Sequence, residues 1–484
     1  MLNCAYVFLC NLETMLQKQL ILLIYFSGFV GTLFAQKSAE ILKQPTNIVL
    51  SKQYRLNSSY REVNMNITPD GRYMFFMSSR GQMPWSWENY LTYKGQAQYD
   101  GDIWYSERVG KTWQAPKCLG PNINTNMGED EPNISPDGSI VYFQSWHDDK
   151  AGNSWNTDGG PYYKSSRVGT QWGKKVGLGG GIHQFFKEFR YGTDGMTISP
   201  DGKTFIVAAG ADYDGAMDLF ISYFENGKWT YPRKLPISTP GDERSPFIAA
   251  DGETLYFASD GYKGFGGLDI YKVSLAEARA GANAKVFNVG SPFNTASNDY
   301  GFIITSDGKE VYLIRDGDIY MADVSKSPKE MKPNETLIIK GVVRNAKTKS
   351  PLAKQVILKE ACCNVHVTDI WSNAATGEYM IILKKPIDAY EQKILEDKSY
   401  EAFSTVIKKE TSNVIIANID LVPKANTETT TTANTELKKR QEEQHRRQEE
   451  IRKKQEEERK RKEEEIRKRR EQEGLRNQES ACRM

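Results

Sequence analysis

The chain has few of the residues that build metal centres and disulfide frameworks. Its 484 residues include only 6 cysteines and 4 histidines, and no CxxC pair occurs. Two cysteines fall in a predicted leader, and the other four are Cys118, Cys362, Cys363 and Cys482. Four scattered cysteines do not form a disulfide framework in an exported chain of this length. Adjacent Cys362 and Cys363 rarely bond to each other, since neighbouring Cα atoms lie only about 3.8 Å apart. We therefore expect no metal and no cofactor.

Catalytic motifs are also missing. The chain contains no GxSxG nucleophile elbow and no Walker-type phosphate loop. The histidines are scattered, at His147, His183, His366 and His445. Each is more typical of a surface or packing position than of a catalytic base. We therefore expect no catalytic residues and a protein that is not an enzyme.

The chain also has little excess of either positive or negative charge. The formal net charge is +2, and segment 436–473 alone carries 16 basic and 13 acidic residues. No basic stripe of the kind that neutralises phosphates is left in the rest of the chain. Nucleic acid is not an expected partner.

Long apolar runs are absent apart from one near the start. A short polar segment precedes the apolar stretch from Leu20 to Phe34, and small Ala35 comes before Gln36, where a signal peptidase could cut. The run has about 15 residues, fewer than the roughly 20 that a spanning helix needs. We predict a signal peptide over residues 1–35 and an exported chain, in the periplasm or on the periplasmic face of the outer membrane. Peripheral membrane association and an uncut anchor stay open.

The chain does contain one sequence motif, or phrase, that occurs five times. "NISPDGSIVYFQS", from Asn133, returns in altered form around four other Asp-Gly steps. The aspartates are Asp70, Asp137, Asp201, Asp251 and Asp307, at intervals of 67, 64, 50 and 56 residues. Glycine accepts the positive φ that a tight hairpin needs. The apolar residues that follow each turn predict a strand buried on both faces.

Two further phrases recur in register with the first. "GDIWY", "MDLFI", "LDIYK" and "GDIYM" predict a third strand led by Asp102, Asp218, Asp269 and Asp318. "KTWQAPKCLG" and "GKWTYPRKLP" predict an outer strand, with Trp113 and Trp229 at matching places. "INTNMGEDEP", "ISTPGDERSP" and "FNTASNDYGF" lead into the next unit. Four short strands at this period are typical of β-propeller blades, and "IVLSKQYRLNSS" is expected to supply the outer strand of the last blade.

These phrases resemble the WD40-like PD40 repeats of TolB-type periplasmic proteins. The resemblance covers about residues 44–325 and implies a propeller domain over 44–330. Five Asp-Gly turns imply five blades, and a degenerate sixth stays open because TolB-like propellers have six. The repeated aspartates, and "DYDG" at Asp212–Gly215, invite a metal interpretation. An aspartate present in every unit is more typical of a turn cap, and a functional site should break the repeat.

A second β-rich segment follows the repeats. "LIIKGVVRNAKTKSPLAKQVILKE" and "ATGEYMIIL" resemble the carboxypeptidase regulatory-like domain, a small β-sandwich, over residues 335–423. The resemblance rests on Gly341, Val342, Thr348, Pro351, Leu352, Val356, Leu358, Gly377 and Tyr379. The usual acidic residue after the first strand is Asn345 here. Such sandwiches are accessory modules, and the Thr-rich stretch 424–435 predicts a linker after it.

The segment 436–473 repeats about every seven residues. Acidic residues stand four positions before basic ones, as in Glu442 and Arg446, an orientation that stabilises a helix by about 0.2–0.5 kcal/mol per pair. A coiled coil needs apolar a and d positions. The only aliphatic residues of the segment are Leu437, Ile451 and Ile466, and Leu475 follows just after it. The pattern therefore favours a long charged single helix over a coiled coil.

The predicted fold class is mainly β: a five-bladed propeller, a small β-sandwich and a long charged C-terminal helix. This layout is similar to OmpA-family envelope proteins associated with type IX secretion, but the OmpA-like domain is missing, so no motif supports peptidoglycan binding. We expect a non-enzymatic protein-binding scaffold of the cell envelope, with envelope proteins as partners and membership of a secretion or gliding assembly by analogy only. A propeller-containing hydrolase or peptidase-like enzyme, or a glycan-binding module, is the alternative.

Two insertions break the repeat and supply the candidate binding residues. Both follow a second strand, so both are expected on one face of the ring. Their aromatic residues are Trp85, Trp87, Tyr90, Tyr93, Trp146, Trp155, Tyr162 and Tyr163. Exposed Trp and Tyr are enriched at binding hot spots, which predicts an aromatic binding surface. The alternative is that these side chains cover the edge of the ring itself.

Overall fold

The computed structural model describes residues 36–81, 88–93, 95–146, 155–168, 171–188, 192–211, 216–281 and 283–424. The predicted signal peptide, the Thr-rich linker and the charged C-terminal helix lie outside these residues. Strands dominate the described part, so the prediction of a mainly β chain is confirmed. No helix among the described residues is long and apolar enough to cross a membrane.

The described residues contain thirty-four strands, and the first twenty-six of them end before residue 324. They are β1 (Glu40–Ile41), β2 (Ser51–Lys52), β3 (Glu62–Ile67), β4 (Tyr73–Ser78), β5 (Glu88–Tyr93), β6 (Gln96–Tyr99), β7 (Asp102–Val109), β8 (Thr112–Trp113), β9 (Lys117–Cys118), β10 (Glu129–Ile134), β11 (Ile140–Ser145), β12 (Tyr162–Val168), β13 (Gln171–Trp172), β14 (Val176–Gly177), β15 (Gly192–Ile198), β16 (Thr204–Gly210), β17 (Asp218–Glu225), β18 (Lys228–Trp229), β19 (Arg233–Lys234), β20 (Glu243–Ile248), β21 (Thr254–Ser259), β22 (Asp269–Ser274), β23 (Phe287–Asn288), β24 (Tyr300–Ile304), β25 (Glu310–Arg315) and β26 (Asp318–Asp323).

These strands form five consecutive sheets and the separate hairpin β5–β6 in the described residues. Each sheet is built on a first, a second and a third strand in antiparallel order: β3-β4-β7, β10-β11-β12, β15-β16-β17, β20-β21-β22 and β24-β25-β26. Short outer strands pair with the third strand, and Trp113 and Trp229 lie in matching outer strands, as predicted. The three recurring phrases therefore encode consecutive elements of each sheet.

The Asp-Gly turn joins the first strand to the second for a local reason. Gly138 has φ of 71°, which a residue with a side chain rarely adopts. One carboxylate oxygen of Asp137 accepts hydrogen bonds from Ser135 Oγ at 2.6 Å and from the backbone N–H of Ser139 at 3.1 Å. The corresponding aspartate caps the turn in all five sheets, and the predicted capping role is confirmed. The "DYDG" segment, Asp212–Gly215, also invited a metal interpretation, and it lies outside the described residues.

The first strands of the five sheets contact one another in sequence, and the last of them, β24, contacts β3. They therefore form a closed ring. The start of the chain fastens the outside of the last sheet, because β2 pairs with β26, Ser51 opposite Met321. This pairing was predicted from "IVLSKQYRLNSS". In addition, β1 pairs with β23 of the fourth sheet, which the sequence did not suggest.

Helices are few in the described residues. Helix α1 (Gly180–Glu188) lies between the second and third sheets, α2 (Leu275–Ala280) follows β22, and a 3-10 turn covers Lys329–Met331. The α1 helix buries Ile182, Phe185 and Phe186 in an apolar cluster with residues of the second and third sheets. It is an insertion that the repeat pattern did not predict.

The remaining strands lie between residues 337 and 421. They are β27 (Leu337–Asn345), β28 (Gln355–Glu360), β29 (His366–Trp371), β30 (Glu378–Leu383), β31 (Ala389–Ile394), β32 (Phe403–Lys408), β33 (Val414–Ile416) and β34 (Ile419–Leu421). They form two four-stranded sheets, one built on β30-β27-β33 with β34 and the other in the order β29-β28-β31-β32. These strands fall inside the predicted sandwich range 335–423.

The described chain forms two compact units. The larger contains residues 36–343, 351–392 and 405–419, and the smaller contains 344–350, 393–404 and 420–424. Within the smaller unit, Asp420 pairs with Arg344 at 2.5 Å and with Lys349 at 3.0 Å. Asn345, the departure from the sandwich pattern, accepts hydrogen bonds from the backbone of Lys347 and Thr348. It therefore fills the turn-capping role of the missing acidic residue.

Candidate functional site

A β-bulge interrupts every first strand at the same place in the repeat. The pairing of each first strand with its second strand shifts register there. One residue of each bulge has a positive φ: Asn64 (47°), Glu131 (54°), Gly195 (101°), Ser245 (47°) and Gly301 (63°). Bulges re-aim side chains and are over-represented beside functional sites. The ring therefore carries five re-aimed positions at one level.

The five bulge residues line one small cavity of about 30 Å³. Because each comes from a different first strand of the ring, the cavity lies where the five sheets meet. A space of this size can hold about one water molecule. Three of the bulge residues, Asn64, Glu131 and Ser245, bring side chains to this cavity. We use the name axial cluster for these three together with four residues joined to them by hydrogen bonds or charge: Arg61, Asp130, Asp194 and Arg244.

Glu131 is the most deeply buried carboxyl group of the axial cluster, with 3% of its surface exposed. Its Oε1 accepts a hydrogen bond from the Gly195 backbone N–H at 2.9 Å, and its Oε2 accepts one from Tyr162 Oη at 2.7 Å. Burial, and after it the charge of the neighbouring Asp130, raise the pKa of Glu131 to about 8. Glu131 therefore keeps its proton at neutral pH.

Asp130 lies beside Glu131 and is partly exposed. Its Oδ1 accepts hydrogen bonds from Asn64 Nδ2 at 2.9 Å and from the Glu131 backbone N–H at 2.6 Å. Burial raises the pKa of Asp130, whereas these hydrogen bonds and the charge of Arg61 lower it. The pKa values of both adjacent carboxyl groups are therefore raised by burial, and the positive charge of Arg61 opposes the rise at Asp130.

An arginine and two aspartates form the other side of the axial cluster. Arg244 donates to Asp194 Oδ2 at 2.9 Å and to Asp242 Oδ2 at 2.5 Å, with 13% of its side chain exposed. Burial raises the pKa of Asp194, and the hydrogen bond and charge of Arg244 oppose that rise. The charge of Arg61 also acts on Asp194. Both guanidinium groups therefore act on one carboxylate of the axial cluster, that of Asp194, and Asp242 lies outside the cluster.

Two buried polar atoms of the axial cluster lack a hydrogen-bond partner among the described residues. They are Ser245 Oγ and Arg61 Nε. Ser245 is only 9% exposed and lines the axial cavity. A buried polar atom without a partner costs about 1–3 kcal/mol, so the Ser245 hydroxyl is available to bond a polar molecule in the cavity.

Only some of the predicted binding residues are described by the structure, and those differ in how deeply they are buried. Trp85 and Trp87 fall outside the described residues, and Tyr90 lies in β5, where its side chain is outside them too. Tyr93, Trp146 and Trp155 are partly buried, and the rings of Trp146 and Trp155 meet edge to face at 5.0 Å. Their role as an aromatic binding surface stays a prediction.

Tyr162 and Tyr163 are not part of an exposed surface. They are 0% and 1% exposed, because β12 runs through the middle of the second sheet. Tyr162 packs on Phe205, and its hydroxyl donates a hydrogen bond to Glu131. The hydroxyl of Tyr163 donates a hydrogen bond to Asp158 at 2.7 Å. Tyr162 thus belongs to the support of the axial cluster.

Sequence reasoning missed the axial cluster, although a signal for it existed. Each bulge residue stands six positions before the aspartate of its Asp-Gly turn. At this place the five units carry Asn, Glu, Gly, Ser and Gly, while the turn itself keeps Asp-Gly. A position that breaks the repeat while the surrounding pattern holds was the criterion for a functional site, and it applies here.

Comparison with known proteins finds distant structural similarity. No protein-family model and no curated protein matches the chain. Among solved structures, a gluconolactonase from Xanthomonas campestris is 10% identical with a TM-score of 0.32, covering 62% of this chain and 93% of that one. A luciferin-regenerating enzyme is 9% identical with a TM-score of 0.28, over 58% of this chain and 97% of that one. An oligogalacturonate lyase in complex with manganese is 12% identical with a TM-score of 0.30, over 57% and 68%.

These proteins correct our functional expectation. The sequence predicted a non-enzymatic protein-binding scaffold and a chain that is not an enzyme, whereas the three similar structures are propeller-like folds that belong to enzymes. The expectation relied on the scattered histidines, on the missing Walker-type loop and above all on the missing GxSxG motif. That motif marks one type of hydrolase only, and a ring of sheets can assemble reactive groups from several strands without it. At these identities and TM-scores the likeness assigns neither a family nor a reaction to this chain.

Proposed function

We propose that this chain is a propeller enzyme that performs acid–base chemistry on a small polar substrate at the axial cluster. One observation supports the proposal above the others: Glu131 has a pKa of about 8 beside the partly exposed carboxyl group of Asp130. Carboxyl groups with strongly raised pKa values concentrate at sites that transfer protons. A protonated carboxyl group is an effective acid near neutral pH.

The roles follow from protonation and exposure. Glu131 donates its proton to the leaving oxygen, and Asp130 accepts a proton from the attacking water. Arg61 and Arg244 bind a carboxylate of the substrate, since guanidinium groups pair with carboxylates. Asn64 and the Ser245 hydroxyl bind substrate hydroxyl groups. The axial cavity of about 30 Å³ has room for the attacking water alone, so the substrate binds at its mouth. These groups together favour hydrolysis of an ester or lactone that carries a carboxylate and hydroxyl groups.

Kinetics of the purified chain test this function. Wild-type protein should hydrolyse sugar-acid lactones or esters, and kcat/KM should fall as the pH rises above about 8, because Glu131 then loses its proton. Glu131→Gln should lose activity by about 10²–10⁴-fold and should no longer show that fall. Glu225→Gln is the matched control, since Glu225 is exposed at the end of β17, outside the axial cluster. Full activity of Glu131→Gln with an unchanged pH profile, or no hydrolysis by wild type, would overturn the proposal.

The finer architecture belongs to the same proposal. The five sheets are the five blades of a PD40/TolB-like propeller over residues 44–330, each with the Asp-Gly turn between its first two strands. Residues 335–423 are a carboxypeptidase regulatory-like β-sandwich, followed by a linker over 424–435 and a charged helix over 436–473. The signal peptide of residues 1–35 places the mature chain in the periplasm or at the outer membrane. There its aromatic insertions would meet envelope proteins.

A further inference from the structure

Two adjacent cysteines and a glutamate meet in the turn between β28 and β29. The Sγ atoms of Cys362 and Cys363 lie 2.8 Å apart, and Cys363 Sγ donates to Glu360 Oε2 at 2.9 Å. Cys362 Sγ lies 3.7 Å from the same carboxylate oxygen. One ligand atom from each residue lies within 4.8 Å of the others. Three donor atoms therefore already surround one point.

The backbone of the turn holds this arrangement. Glu360 N–H donates to Val365 O at 2.8 Å, and Asn364 N–H donates to Glu360 O at 3.0 Å. Asn364 closes the turn with φ of 58°, a conformation that asparagine tolerates better than most residues. Ala361 N–H donates to Ala389 O at 3.2 Å, which ties the turn to β31. Both thiols consequently project from a fixed loop.

We propose that Glu360, Cys362 and Cys363 bind a thiophilic divalent cation of the zinc class. Two sulfur donors select against hard cations such as Mg²⁺ and Ca²⁺, which take oxygen ligands, and favour Zn²⁺ or Cd²⁺. Three protein ligands leave the fourth tetrahedral position to water. Both thiols are exposed, so an ion reaches them directly from solvent.

Binding requires only a small movement of the two thiol side chains. A Zn–S bond of about 2.3 Å in tetrahedral geometry separates two sulfur atoms by roughly 3.7 Å. The thiols must therefore move apart by about 1 Å, with release of their protons to the medium. Side-chain rotation at an exposed turn can supply this change. The carboxylate of Glu360 already lies next to both sulfur atoms.

The experiment is a titration of the full, reduced, metal-free chain with Cd²⁺, read from the ultraviolet band of cadmium–thiolate bonds, and with Zn²⁺ against a chromophoric chelator. Wild type should bind one equivalent more than the Cys362→Ser/Cys363→Ser double variant. Cys118→Ser is the matched control and should bind like wild type, since Cys118 lies in β9. Glu360→Gln should weaken Zn²⁺ binding by at least about tenfold.

Circular dichroism and melting of each variant show that the fold is retained. Equal binding by wild type and the double variant would overturn the site. Unchanged affinity in Glu360→Gln would overturn the three-ligand assignment. None of these variants touches the axial cluster, so hydrolase activity is expected to be the same in all of them.

Discussion

The side chain of Asn124 forms two hydrogen bonds with the backbone of Ile103. Oδ1 accepts from the Ile103 N–H at 2.9 Å, and Nδ2 donates to the Ile103 carbonyl oxygen at 3.1 Å. The same pair of bonds joins Asn294 to Ile270 and Asn57 to Ile319. Each asparagine comes just before the next first strand and holds the third strand of the sheet that it leaves. This contact explains why "INTNMGEDEP" and its relatives recur.

The acidic residue of the same phrase has an equally specific place. Glu129 accepts hydrogen bonds from the backbone and hydroxyl of Thr125, at 2.5 and 2.6 Å, and from Ser145 Oγ at 2.8 Å. Glu243 has the same contacts with Thr239 and Ser259. The phrase thus joins the loop between sheets to the end of the second strand, through a fully buried carboxyl group.

Removal of the asparagine clamp should destabilise the ring. Asn124→Ala leaves the buried N–H and C=O of Ile103 without these partners, and we expect a loss of about 1–3 kcal/mol in the free energy of unfolding. Asn126→Ala, an exposed position two residues on, should cost under about 0.5 kcal/mol. Urea unfolding of both variants checks the difference. Similar midpoints would contradict a structural role for the clamp.

The second strands should behave as core. Phe143 and Phe257 are 0% and 1% exposed, and replacement of either by Ala should cost roughly 3–5 kcal/mol because a cavity is left in close-packed surroundings. Lys203→Ala changes an exposed residue of an Asp-Gly turn and should cost under about 0.5 kcal/mol. Melting curves compare the three variants. Equal shifts would show that these strands are not the core of their sheets.

The stability of the ring should fall as the pH rises from about 4.5 to about 7. Burial raises the pKa of Glu243 from 4.5 to about 7. Within this window the unfolded chain has released the proton while the folded chain still holds it. Stability then decreases with pH, by up to about 1.4 kcal/mol per pH unit for this group. Below the window both states are protonated, so stability is at its highest with respect to this group and no longer depends on pH.

Glu243→Gln tests that dependence, because the amide oxygen can still accept from Thr239 and Ser259 but does not titrate. Urea midpoints measured across the window should show a shallower decline for this variant than for wild type. Glu225→Gln, at an exposed position, should keep the wild-type slope. An identical decline in Glu243→Gln would refute the assignment to this carboxyl group.

Export can be tested at the mature N-terminus. Cleavage after Ala35 should produce a chain that begins at Gln36 or its cyclised form, and mass spectrometry of protein from the envelope fraction measures this. Detection of a chain that still begins at Met1 or Met15 would contradict the predicted signal peptide. In the folded chain the side chain of Gln36 donates a hydrogen bond to the carbonyl oxygen of Asp260 at 3.0 Å.

The sequence by itself determined the strand order, the turn positions and the closing strand β2. These features are local: an Asp-Gly turn depends on residues such as Asp137 and Gly138, and a buried strand shows its apolar residues in one short run. The repeat then multiplied the same local signal five times.

Only the tertiary structure decided the axial cluster, the burial of Tyr162 and the position of α1. Asn64 and Glu131 are 67 residues apart, and they meet because two separate bulges turn them toward one cavity. Burial and neighbouring charge then raise the pKa of Glu131, and both are properties of the assembled ring. A local pattern carries no information about which distant side chains converge, because that depends on the closure of all five sheets.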